Sequence, residues 1–174
     1  MLKGSGKVNK EHFSKTEGRL YRYFENISKI AALKEENIEL DSRYESIEKV
    51  LRTSNFSFDV SIGSPGFEER VQTSCSGESA VERQMFQQAE RLIKEQKIIR
   101  KNQFRNTAQI NELERSNIKI RVVIAMLEEE AKKFIYFKYN KKLSMDCIAE
   151  ELNISRRKAY TFRKDIIQGI IKLL

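Results

Sequence analysis

Two runs of residues in this chain step by alternating threes and fours without a gap, and that spacing constrains the fold more than any other feature. The first is Ile30, Leu33, Asn37, Leu40, Tyr44, Ile47 and Leu51; the second is Ile110, Leu113, Asn117, Ile120, Ile124, Leu127, Ala131 and Phe134. An α-helix turns once in about 3.6 residues, so a 3-4 alternation gathers its members into a narrow stripe on one face. Such a stripe cannot close a core alone and needs a partner helix, from the same chain or from another copy. Each stripe also holds one asparagine. A polar group among aliphatics is costly unless paired, and it tends to fix register. Asn37 and Asn117 therefore either meet in a folded bundle or each meet a symmetry mate. The spacing leaves both open, and the two unfilled stripes predict a dimer.

The rest of the chain fits around these helices. Leu20 to about Arg52 reads as the first, with Phe24, Ile27 and Ala31 as a second apolar edge. Gly63, Pro65, Gly66, Gly77 and repeated serines then predict a long linker, in which Phe56, Phe58, Val60 and Ile62 alternate as a short extended piece would. Helix resumes near Ala80, with Met85, Ala89, Leu92, Gln96 and Ile99 on one face and Phe86 and Ile93 beside it. The pattern weakens over Asn102 to Thr107, where a bend is expected, and the second stripe carries a helix to Tyr139. One proline and seven glycines in 174 residues are too few turn formers for a many-stranded β fold. The expected class is all-α: helical hairpin or coiled-coil segments followed by a C-terminal helix-turn-helix. The expected layout is a disordered basic tail over 1–17, an N-terminal helical segment over 18–52, the linker over 53–79, a central helical segment over 80–115 and the helix-turn-helix domain over 116–174.

Net charge is +8 and unevenly placed. Residues 131–174 hold eleven Lys/Arg against four Asp/Glu, and residues 1–30 hold seven against three, while the middle is slightly acidic. A basic end attracts polyanions, meaning nucleic acid or an anionic membrane surface; a solvated basic face is the plain alternative.

The chemistry behind that charge lies in the last 31 residues. Ser144 is placed to cap a short helix from Met145 to Leu152, whose inward face is Ile148, Ala149 and Leu152. Asn153 then suits a left-handed turn, and Ile154 plugs it. Ser155 caps a second helix with Ala159, Phe162, Ile166, Gly169 or Ile170, and Leu173 inward. Two helices joined this way touch where a side chain must be small, and Ala149 supplies it. The outward face collects Arg156, Arg157, Lys158, Tyr160, Thr161, Arg163 and Lys164. The DNA major groove admits a helix and shows base edges that Arg, Lys, Ser and Thr can read. Arg157, Lys158, Thr161 and Arg156 are expected at base edges. Arg163, Lys164, Lys141, Lys142 and Ser144 are expected on the phosphate backbone, with Ser155 and Tyr160 in the same interface.

Phe134-Ile135-Tyr136-Phe137-Lys138-Tyr139, Leu143-Ser144, Ile148-Ala149-Glu150-Glu151-Leu152-Asn153-Ile154-Ser155 and Ala159-Tyr160 together resemble region 4 of bacterial sigma-70 factors. More narrowly, the chain looks like the phage and prophage late-gene regulators of the RinA/ArpU type, which it resembles over 20–115 in layout alone. The resemblance implies a transcription activator in the cytoplasm of a bacterial host. It would bind double-stranded promoter or operator DNA near the −35 element through Ser155 to Lys164, and could touch RNA polymerase. Nothing corresponds to the other regions of a full sigma factor.

Other classes find less support in the residues. The only histidine, His12, falls in the expected tail, and Glu128-Glu129-Glu130 reads as a solvated helix face. Gly4-Ser5-Gly6-Lys7 lacks the spacing and the Ser/Thr of a phosphate-binding loop. Cys75 and Cys147 have no metal-type spacing and are expected as reduced thiols. No enzymatic activity, cofactor or metal is expected. No apolar run approaches the roughly 18 residues of a membrane span, and Met1 to Glu17 lacks a signal-peptide core. The alternative functions are a DNA-binding packaging component like a small terminase subunit, and an interaction protein whose basic end binds an acidic protein surface.

Overall fold

The computed structural model describes residues 10–53 and 80–174, and every described element is helical. Helix α1 is Lys10–Thr53 and α2 is Ala80–Ala125. Helix α3, Glu129–Ile135, runs on into a π-helical turn at Tyr136–Asn140; α4 is Met145–Glu151 and α5 is Arg156–Leu173. Most of the serine-rich linker, with its expected extended piece, lies outside the described residues.

The chain divides into two compact units, Met1–Lys34 with Ala108–Leu174, and Glu35–Thr107. The divisions fall inside α1 and α2, so each long helix gives one stretch to each unit, rather than at the expected boundaries near 52 and 115.

In the unit Glu35–Thr107, the α1 and α2 stretches pack through few buried apolar groups and many polar pairs. Among the described residues, Ile47 and Ile99 are its buried aliphatics. Asn106 Nδ2 donates to Asn37 Oδ1 at 3.2 Å, and Gln103 Nε2 donates to Asp41 Oδ1 at 2.6 Å. The Arg100 guanidinium sits 3.9 Å from the centre of the Tyr44 ring. These pairings explain a departure from expectation. Asn102 to Thr107 is uninterrupted helix, because the polar residues that weaken its apolar pattern find partners on α1. Phe86 and Ile93 face solvent rather than joining the inner face, at 67% and 43% exposure.

The other unit holds the main core. Leu20, Phe134, Ile135, Ile148, Ala159, Ile167 and Ile170 are fully buried in one cluster with Ile120, Val123 and Tyr139. Its first surprise is the N-terminal stretch. The expected tail over 1–17 is helical from Lys10, since Phe13, Thr16 and Leu20 share one face and pack inward, Thr16 being buried. His12 is thus an exposed residue of α1. The second surprise is a break in the second stripe, which the sequence carried unbroken to Tyr139. Helix α2 stops at Ala125, Leu127 N donates to Ile124 O at 3.1 Å, and Glu128 turns extended (φ −63°, ψ 153°) to start α3. The new direction lets Ala131, Phe134 and Ile135 bury together.

The seam asparagines do not meet each other. Asn37 pairs with Asn106, whereas Asn117 accepts from Asn26 Nδ2 at 2.9 Å and donates to the Tyr23 carbonyl at 3.3 Å. Each seam asparagine thus pairs with polar groups on the other long helix of the same chain.

Candidate nucleic-acid interface

The connection from α4 to α5 is built by local rules. Ser144 is extended (φ −67°, ψ 159°) and its hydroxyl accepts from the Cys147 amide at 3.2 Å, satisfying one of the free N–H groups that open α4. That hydroxyl also donates to Cys147 Sγ at 3.1 Å; the thiol is free and exposed, and Cys75 lies outside the described residues. Helix α4 ends in a Schellman turn. Ile154 N donates to Ala149 O at 2.9 Å and Asn153 N to Glu150 O at 3.1 Å, with Asn153 left-handed at φ 52°. Ser155 then caps α5, its hydroxyl accepting from Lys158 N at 3.3 Å. The two caps, the left-handed asparagine and the helix limits follow the sequence reading closely.

Packing sets which side of α5 is inward. Ala159, Ile166, Ile167 and Ile170 are buried, and Phe162 is half-buried with its ring edge-on to Phe134 at 5.6 Å. Ile167 is an inward residue the spacing did not single out. Leu173, expected inward, is 52% exposed.

The opposite side carries the charge. Ser155, Arg156, Arg157, Lys158, Tyr160, Thr161 and Lys164 are all exposed, within the first two and a half turns of α5. Arg157 has no ion-pair partner among the described residues, and neither do Lys158 and Lys164. Thr161 Oγ1 donates back to Arg157 O at 3.2 Å, which holds its methyl and oxygen in one rotamer. Arg156 differs: its Nε lies 3.0 Å from Asp146 Oδ1 on α4. A hydrogen bond to Tyr160 and then the Asp146 charge raise its pKa above the ordinary arginine value. Both members of the pair are well exposed, so the bond is weak and exchangeable. Lys141, Lys142 and Ser144 are exposed where α3's π turn hands over to α4, with Lys142 left-handed at φ 55°. The Lys141 ammonium lies 5.6 Å from the Tyr136 ring centre and 5.4 Å from that of Phe137.

Arg163 departs from the backbone-contact role expected of it. Its Nε and Nη2 clamp the two oxygens of Glu17, both at 2.7 Å, and Tyr139 Oη donates to the same carboxylate at 2.7 Å. Arg163 also lies 5.5 Å from the Phe13 ring centre. It is a flank residue of α5 facing α1, and its donors are occupied within the fold. Burial acts to lower its pKa, but the bonds and charge of Glu17 and Tyr139 outweigh this and raise it. Burial, then the bond to Glu17, push the Tyr139 phenol well above its ordinary range. The sequence missed Glu17 because nothing local marks it: its partner stands 146 residues away.

No family model matches the chain, and no curated protein or solved structure is significantly similar to it.

Proposed function

We propose that this protein is a sequence-specific DNA-binding transcription regulator that reads the major groove with the outer face of α5. One observation carries the reading. A capped helix, anchored from behind by Ala159, Phe162 and Ile167, exposes Arg157, Lys158, Thr161 and Lys164 side by side. A solvated helix usually interleaves acids with its bases; this face has none until Asp165. The N-terminal end of α5 adds free backbone N–H groups and the positive end of the helix dipole, which favour phosphate. In this reading Arg157, Lys158 and Thr161 meet base edges. Lys164, Lys141 and Lys142 hold phosphates, and Arg156 joins them by exchanging Asp146 for DNA. Arg163 takes a supporting role behind the interface.

The finer assignment rests on the resemblance of residues 134–160 to sigma region 4 and to the RinA/ArpU-type regulators. On that basis the protein activates phage late genes from a site near the −35 element. Selection of bound fragments from genomic DNA, followed by footprinting, tests it. A footprint overlapping a −35 element upstream of a late operon is the expected result, and no enriched sequence would refute it. Arg157→Ala is expected to weaken binding to the selected site by about 1–3 kcal/mol while changing affinity for random duplex far less. Equal loss on both, measured by titration at fixed salt, would move Arg157 to the phosphate contacts.

A further inference from the structure

The unit Met1–Lys34 with Ala108–Leu174 contains a second cationic feature, whose cations come from α1 and α2. A cleft of about 220 Å³ is lined by Arg19, Arg22 and Lys119, by the neutral polar Tyr23, Asn26, Ser116 and Asn117, and by Ile120 and Leu174. Its lining contains no carboxylate side chain. The space is open to solvent and large enough for a small oxyanion.

Three nearby glutamates have partners of their own. Glu17 is clamped by Arg163, Glu25 pairs with Lys29 at 3.3 Å, and Glu114 pairs with Lys34 at 3.4 Å. Residues 115–127 of the chain contain Arg115, Lys119 and Arg121 and no acid at all. Among the described residues Arg19 and Lys119 have no ion-pair partner. Arg22 uses Nε on the Gly18 carbonyl at 3.2 Å, leaving its terminal nitrogens to project further. Asn26 Nδ2 bonds both Asn117 Oδ1 and Ser116 Oγ, which holds the neutral wall in place. Three like charges around one cleft repel each other, and a bound anion would relieve that repulsion.

We propose that this cleft is a phosphate-binding site. Arg19 and the terminal nitrogens of Arg22 supply N–H forks matched to phosphate oxygens, and Lys119 a point charge; the Ser116 hydroxyl is spent on the Leu113 carbonyl at 2.8 Å. The phosphate belongs either to the backbone of a nucleic acid or to a free phosphorylated small molecule. The chemistry of recognition is the same for both, and the inference does not rest on α5 reading DNA.

The test is a titration of the full chain with sodium phosphate, then pyrophosphate, at constant ionic strength against chloride. The readout is the side-chain N–H signals of arginine together with the amide signals of Asn26, Ser116 and Lys119. The expected result is saturable shifts confined to this cleft in the wild type and lost in the double variant Arg19→Gln/Lys119→Gln. Both substituted side chains are exposed, so the fold should persist, which the unchanged remaining spectrum verifies. Shifts that fail to saturate, that spread over all surface lysines, or that survive in the double variant would overturn the proposal. Random-sequence duplex then identifies the source. If duplex moves the same signals and the double variant lowers the log–log salt slope of binding by about one to two, the phosphate is a nucleic-acid backbone phosphate. If inorganic phosphate moves them and duplex does not, it is a free phosphorylated ligand.

Discussion

At the scale of single residues, the Glu17–Arg163–Tyr139 cluster joins the start of α1 to the flank of α5 through one carboxylate with three donors on it. Its phenol makes a pH prediction. Tyr139 has a folded pKa raised above its ordinary value of 10.0, by burial first and by Glu17 second. The protonated phenol is therefore the form the fold prefers. Its stabilising effect is fully present below that ordinary value and is lost progressively as pH rises beyond it. Denaturant midpoints should accordingly fall steeply above about pH 10 in the wild type. In Tyr139→Phe they should fall less steeply, from a starting stability lower by about 1 kcal/mol for the missing hydrogen bond. Parallel alkaline slopes in the two proteins would refute this. The cluster also marks where sequence reasoning stops at this scale. Arg157, Lys158 and Thr161 were legible as outward because helical period alone decides it. Arg163 is one step off the same face, and its inward commitment depends on a distant glutamate that no local period reveals.

At the scale of elements, the turn between α4 and α5 is the part most fully written in local sequence. Ser144 and Ser155 each accept an amide hydrogen bond from three residues on, and Asn153 takes the left-handed conformation. An L side chain in that conformation costs roughly 1–2 kcal/mol, less for asparagine and nothing for glycine. Asn153→Gly should therefore raise stability by a few tenths to about 1 kcal/mol, and Asn153→Val should lower it by about 1–2 kcal/mol. Urea melts of the two variants check the order; a stabilising valine would contradict the turn described here. The break after Ala125 was not legible, because Leu127, Ala131 and Phe134 keep the period of the helix before them. What redirects the chain is burial of Ala131, Phe134 and Ile135 in a core contributed largely by other elements. Periodicity reports which face is apolar, but it is silent on whether the axis stays straight.

At the scale of the whole molecule, the two units differ in how they are held. The unit Glu35–Thr107 buries Ile47 and Ile99, and its cross-helix contacts include Asn37–Asn106, Asp41–Gln103 and Arg43–Glu95. The latter contacts are largely solvent-exposed and contribute little each. The other unit buries most of the large apolar side chains described. Amide hydrogen exchange should therefore be faster over 35–53 and 80–107 than over 20–34, 108–125 and 159–170, by the difference in local opening free energy. Uniform protection along α1 and α2 would show the two units opening as one. The all-α class and the two helical seams could be read in advance, since period and composition are local properties. The division of each long helix between units could not, because it follows from which stretch of α1 faces which stretch of α2.

That the larger core is made from both chain ends has a consequence for biosynthesis. Leu20 shares a core with Ile167 and Ile170, which follow it in synthesis by most of the chain's length. At about 5–20 residues per second, Leu20 waits roughly 7–30 s for Ile167 to be added. During that interval the nascent segment presents Phe13, Leu20 and Phe24 without their final neighbours, an exposed apolar stretch that stays open until the α5 aliphatics arrive.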